Sequence, residues 1–332
     1  MKIAVVGCGA VGSFYGAKLA RAGEEVHFLL RSDYDVVHRK GVSIHSPDGD
    51  FNVRPKAAKK PDEIGPADLL MIGLKTTAND QFPSLIPPLV GSHTAVLTLQ
   101  NGLGNEEALA RIVPPEQILG GLCFVCLNRT APGVIDHIDH GAVVIGEFGR
   151  WPEPRTHDIA TMFRNAGIPC HVSDNLAQAH WEKLTWNIPF NGLGVASAAG
   201  KEGMADPDSA SLRGPCLTTD KLLADAEWEL IVRELIREVI AGGRALGFKM
   251  KDELEETQVG RTRTMGAYKP STLIDFENGK PLELISLFFE PLRLARAAGI
   301  SVPRLTALCE VLKRLDAPKI PHSGFASPNR CP

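Results

Sequence analysis

An α/β Rossmann-type doubly wound sheet followed by a mostly α-helical C-terminal half is the fold this sequence predicts, and three observations carry the prediction. A glycine-rich turn joins a short apolar run to an amphipathic stretch at the chain start. Apolar runs then alternate with polar, glycine-bearing exits as far as "PCHVS", and from Leu176 onward apolar positions recur at helical spacing. A length of 332 residues fits two units better than one. The expected division is 1–174 and 175–332, with a flexible tail from about residue 317, "APKIPHSGFASPNRCP".

Composition narrows the partners. A hydrophobic share of 44%, a charged share of 23% and a net charge of −3 describe an ordinary globular chain. Lys and Arg are scattered, without the basic stripe of nucleic-acid binders, and no apolar run reaches the length of a membrane span. The expected partner is therefore a small molecule, not a nucleic acid or a membrane. Met1 leads straight into "KIAVVGCG" with no leader pattern, so a cytoplasmic location is expected. Seven cysteines without framework spacing suit a reducing compartment. Cys123 and Cys126 form a C-x-x-C, and His137 and His140 an H-x-x-H, but neither pair has the further ligands of a zinc site, so no metal is expected.

Residues 2–6, "KIAVV", read as a strand and "AVGSFYGAKLARAG" as a helix that Gly23 stops. Between them Gly7, Gly9 and Gly12 complete G-x-G-x-x-G. The first glycine allows the tight turn, the second lets backbone approach a pyrophosphate, and the third lets helix and strand pack closely. The N–H groups at the helix start, at Ala10 and Val11, face the phosphates. A second strand, "EVHFLL", ends at Arg31, where an NAD site would place an acid on the ribose. A guanidinium there favours the 2′-phosphate of NADP; the alternative is that Asp33 is the ribose acid. "DLLMIGLKTT" ends its apolar run at Lys75, and "TAVLTLQNGLGNEE" ends its run at Asn101 and a glycine turn. Ligands gather at such carboxyl ends of strands.

In the second half, "HWEKLTWNIPFNG" places Lys183, Asn187 and Asn191 four residues apart, so they share one helical strip. Trp181, Leu184, Trp186, Ile188, Phe190 and Leu193 crowd the other directions, which implies a buried helix whose polar strip lines a cleft.

These pieces together, with "PSTLIDFENGKPLELI" before "ARAAGISVP", resemble the ketopantoate reductase (2-dehydropantoate 2-reductase) family from residue 1 to about residue 315. The resemblance implies NADPH-dependent reduction of 2-dehydropantoate to pantoate in pantothenate and coenzyme A biosynthesis. Residues 1–174 would then bind NADP and residues 175–332 would serve substrate binding and dimerisation, although the sequence leaves the homodimer open. By the resemblance, Lys183 is the general acid, Asn187 and Asn191 orient the substrate, Ser271 meets its carboxylate and Glu283 takes a hydroxyl. Lys75 and Asn101 stand between cofactor and substrate.

Two departures from the family pattern stand out. Gly192 follows Asn191 while Pro189 lies inside the helix, which predicts a kink between Asn187 and Asn191. The segment 200–220 is longer than expected, either a surface loop or a cap on the cleft. Two other functional readings stay open: another 2-keto or 2-hydroxy acid dehydrogenase, with His180 as the proton carrier, and a non-catalytic NADP-binding sensor.

Overall fold

A computed structural model describes residues 1–316, so the tail expected from about residue 317 lies outside the described residues. Ten strands come first: β1 (Lys2–Val6), β2 (Glu25–Leu29), β3 (Val42–His45), β4 (Phe51–Val53), β5 (Lys56–Ala58), β6 (Leu69–Ile72), β7 (Ala95–Thr98), β8 (Ile118–Ala131), β9 (Val134–Glu147) and β10 (Cys170–Val172). They form one sheet in the order β4-β3-β9-β8-β7-β6-β1-β2-β5, with β10 added beside β9. From β5 through β8 every pairing is parallel. The crossovers carry α1 (Ala10–Arg21), α2 (Tyr34–Lys40), α3 (Phe82–Leu85) and α4 (Asn105–Leu109).

Burial on both faces explains why the central strands read as unbroken apolar runs. In β1, Ile3 and Val5 enter one core with Phe14, Phe28 and Phe163, while Ala4 and Val6 enter another with Phe82 and Leu109. The sheet is thus covered on both sides. β8 and β9 form a long antiparallel hairpin, after which α5 (Pro154–Asn165) and β10 bring the chain to the helical half.

That half comprises α6 (Leu176–Ala196), α7 (Gly200–Ala205), α8 (Thr219–Ala224), α9 (Ala226–Ala245), α10 (Leu254–Arg263), α11 (Ser271–Glu277), a π-helical segment (Ile285–Phe289), α12 (Glu290–Ala297) and α13 (Pro303–Leu315). α6 is its axis, packed on α9, α11 and α13. A Cβ on Gly192 would lie 2.6 Å from Leu308 Cδ2, so glycine is what lets α6 and α13 approach. Among the described residues no helix is long and apolar enough to cross a membrane.

Three local expectations change. "DKLLADAEWELIVRELIREVIAGGRALG" reads as one helix but breaks at Asp225, whose carboxylate accepts from the amides of Glu227 (2.9 Å) and Trp228 (3.1 Å) and so starts α9 afresh. The kink expected at Pro189 does not interrupt α6, which runs unbroken to Ala196. Ile188 and Phe190 are both 0% exposed, and their packing holds the turn despite the missing donor. The 200–220 segment is not a bare loop either. α7 and the 3₁₀ turn after it (Pro207–Ser209) pack on α13, and Asp208 accepts from Arg314.

α6 begins at a side-chain cap, Asn175 Oδ1 accepting from Gln178 N at 3.0 Å. Asn175→Ala should cost about 1 kcal/mol, read as a lower urea midpoint by fluorescence of the helical half's Trp181, Trp186 and Trp228, and Asn175→Ser should restore it.

Candidate active site

The glycine turn has the shape its residues require. Gly7 has φ +90°, and a Cβ there would meet Leu74 N at 2.2 Å; one on Gly12 would meet Gly7 O at 2.3 Å. The chain therefore crosses directly under the neighbouring strand. At Gly9, by contrast, a Cβ would find nothing within 4 Å, which leaves room for a ligand over the backbone. Ala10, Val11 and Gly12 occupy the first turn of α1, where N–H groups lack helical acceptors, and no acidic side chain competes there. This cradle fits a dinucleotide pyrophosphate.

Beyond β2, Arg31 is exposed. Asp33, the alternative ribose acid, is 6% exposed and its carboxylate is already engaged, accepting from Arg129 Nε at 3.0 Å and Nη2 at 2.6 Å and from Ser32 Oγ at 2.9 Å. The structure favours Arg31 over Asp33 as the group presented outward.

Lys183 is half-buried on α6, and its ammonium donates to Asn101 Oδ1 at 2.8 Å and sits 5.3 Å from the centre of the Phe124 ring. Asn101 leaves β7 on a turn that Gly102 makes possible. Gly102 has φ +86°, and a Cβ would lie 2.4 Å from Ser286 O, while the next amide, Leu103 N, donates to that carbonyl at 2.9 Å. Behind it, Gln100 donates to Asn79 Oδ1 (2.7 Å), Asn79 to Asn105 Oδ1 (3.0 Å), and Asn105 to Asn101 O (3.1 Å). The loop that meets the lysine is thus held by an amide relay.

Burial pushes the Lys183 ammonium down to about 8, with the negative charge of Glu283 opposing it. Burial also holds the Cys123 thiol up at about 11, so it stays neutral beside the lysine. Cys123 and Cys126 turn to different partners, Tyr15 and Tyr268, and share no ligand arrangement. His137 is buried between Ser46 Oγ and His140 O, each at 2.9 Å.

Asn187 and Asn191 follow Lys183 along the strip, and Asn191 Nδ2 donates to Asn187 Oδ1 at 3.4 Å. Asn191 Oδ1 accepts from Thr272 N at 3.1 Å and from Ser271 Oγ at 3.4 Å, so this amide caps the start of α11 and brings Ser271 to the strip.

Lys75 and Glu283 form a separate junction between the halves. Lys75 Nζ donates to Asp275 Oδ2 (2.8 Å) and Glu283 Oε2 (3.1 Å), Thr76 N donates to Glu283 Oε1 (2.7 Å), and Ser286 Oγ donates to Thr76 Oγ1 (2.9 Å). Burial works against the Lys75 ammonium, but the Glu283 and Asp275 carboxylates outweigh it and raise its pKa. The π-helical segment just after Glu283 lets both Glu283 and Ser286 face the sheet exits.

Sequence reasoning missed several of these partners. Asp275 stands in the quoted "PSTLIDFENG", one turn after Ser271, and helical spacing could have found it. Asn79, Asn105 and Ser286 carry no sequence signal, because only the fold brings them to Asn101 and Thr76. His180 and Glu106 also form an unanticipated pair, Nε2 to Oε1 at 3.0 Å, both almost fully buried.

Two family descriptions match the chain: "Ketopantoate reductase PanE/ApbA" over residues 3–150, and "Ketopantoate reductase PanE/ApbA C terminal" over residues 214–316. The chain is 38% identical to a 2-dehydropantoate 2-reductase of Nostoc sp., over 95% of each. Among solved structures, 2-dehydropantoate 2-reductase from Geobacter metallireducens GS-15 superposes with a TM-score of 0.87 at 42% identity, over 95% of this chain and 99% of that one. The enzyme of that name from Methylococcus capsulatus gives 0.84 at 31% identity, over 95% and 96%.

With lysines dimethylated by carbon-13 methyl groups, the Lys183 resonance should titrate near pH 8, well below the ordinary 10.5, because burial disfavours its charge. The Lys75 resonance should stay in its protonated position through that range. A Lys183 midpoint at or above the ordinary value would contradict the burial argument.

Proposed function

The chain belongs to the ketopantoate reductase family, and we propose that it reduces 2-dehydropantoate to pantoate with NADPH, Lys183 being the general acid. The carrying observation is the Lys183 ammonium, desolvated yet held by Asn101 at 2.8 Å, where the β7 exit meets α6. Residues 1–174 provide the glycine cradle and Arg31 for the cofactor, and residues from 175 on provide the strip for the keto acid.

When bound, the cofactor supplies a hydride to the keto carbon. The carbonyl oxygen then gains negative charge, and Lys183 Nζ both stabilises that charge and releases a proton to it, leaving a neutral amine that solvent recharges. A pKa near 8 keeps the acid form populated at neutral pH while making it a better donor than an exposed lysine. Asn101 fixes the direction of the N–H bonds. Asn187 and Asn191 offer amides to the substrate's polar groups, and Ser271, at the start of α11, its hydroxyl to the carboxylate. Glu283 keeps lone pairs beyond those given to Lys75 and Thr76, and these suit a substrate hydroxyl. Lys75 adds a positive charge beside the site.

A second reading gives the proton to His180, because its bond to Glu106 is the His–acid pairing many dehydrogenases use. Against it, both residues are almost fully buried and a Cβ on Gly120 of β8 would strike Glu106 Oε1 at 2.3 Å, so the pair is wedged against the sheet.

Lys183→Ala should lower kcat for 2-dehydropantoate by about 10²–10⁴-fold with NADPH affinity and the thermal melt nearly kept, whereas His180→Leu should spare kcat; the reverse pattern would move the proton to His180. In wild type, kcat for reduction should be level at lower pH and fall as pH rises through about 8, since only the ammonium donates. Arg31→Ala should weaken NADPH far more than NADH. Absence of cofactor oxidation with any of a panel of 2-keto acids would leave a binding protein without turnover.

A further inference from the structure

Asp33 sits where a carboxylate would decide cofactor choice, yet it is turned away from that role. It follows Arg31 by two residues and occupies the N-cap position of α2, but makes no side-chain cap there. Cys8 of the glycine turn donates from Sγ to Leu29 O, at the end of β2, at 3.6 Å, so Asp33, shortly after β2, lies at the cofactor end of the sheet. Its carboxylate is spent on Arg129, which arrives from β8, 96 residues away in sequence, with Nη2 at 2.6 Å from both oxygens. Ser32 supplies a further hydrogen bond, and Asp33 is 6% exposed.

We infer that Arg129 is a specificity-determining residue for the cofactor, acting through Asp33: the pair withholds from the ribose both the acceptor that NAD would use and the charge that would repel a 2′-phosphate. The inference rests on the NADPH reading above. An acid at the end of the second strand of such a fold receives the ribose 2′-hydroxyl. The same acid, left unpaired, opposes a phosphate, because like charges brought together cost heavily in recognition. Evolution of this site toward a 2′-phosphate need not delete the carboxylate when a guanidinium can neutralise it in a bidentate grip. Arg31 is then left exposed to meet the phosphate alone.

Arg129 acts at a distance from the reacting atoms, so its effect belongs in the affinity ratio between cofactors and not in kcat. The test is the ratio of NADPH to NADH dissociation constants, by fluorescence titration, for wild type, Arg129→Leu, Asp33→Asn and the double variant. Arg129→Leu frees the carboxylate and should shift the ratio toward NADH by about tenfold or more. Asp33→Asn and the double variant should keep the preference for NADPH, since neither holds an unpaired carboxylate. A double variant that loses NADPH as Arg129→Leu does would overturn the inference, for then Arg129 itself touches the phosphate. An unchanged ratio in Arg129→Leu would also overturn it. Should that variant fail to fold, Asp33→Asn with Arg129→Gln decides in its place: retained preference supports the inference and lost preference refutes it. A wild type that prefers NADH would instead remove the cofactor reading on which the inference stands.

Discussion

An ammonium taken out of water must be compensated, and the two halves of this protein meet around that requirement at Lys183. Its charge is disfavoured by burial, and only a neutral amide oxygen from Asn101, the Phe124 ring face and more distant negative charge offset the loss. That is a deliberately incomplete compensation. A carboxylate in direct contact would return the lysine to an ordinary or higher pKa, as happens at Lys75 with Asp275 and Glu283. The site thus contains two lysines in opposite electrostatic states, separated by which of them touches an acid.

The difference suits their work. Lys75, doubly paired, ties the β6 exit to Asp275 of α11 and to Glu283 in the segment that follows it, and Thr76 and Ser286 reinforce the same junction. Lys183, unpaired with acid, keeps a proton it can give up. Glu283 belongs to both settings, since it grips Lys75 and Thr76 while its charge is felt at Lys183. Joining the halves and setting the charge on Lys183 are therefore one electrostatic arrangement.

The polar strip on α6 has a similar double use. Asn191 caps α11 and thereby places Ser271, and Asn187 is bonded to Asn191, so the residues that would orient a keto acid also hold two helices together. A site assembled this way is preorganised by its own packing. α6 stays helical through Pro189, where Ile188 and Phe190 on either side are fully buried.

The glycine turn, the alternation of apolar runs and exits, the buried character of α6 and the four-residue spacing of Lys183, Asn187 and Asn191 were all determined by the chain alone. Each depends on neighbours close in sequence, where residue type and spacing state the geometry directly. The break at Asp225, the continuation of the helix through Pro189 and the packing of α7 and its following 3₁₀ turn on α13 depended on which side chains arrive from elsewhere. So did the partners that define the chemistry. Asn79 and Asn105 behind Asn101, Ser286 against Gly102 and Arg129 on Asp33 are all contacts between distant segments. Spacing in a sequence says which face a side chain occupies, but only the packed sheet and bundle decide what stands opposite it, and that opposite group sets its charge and its role.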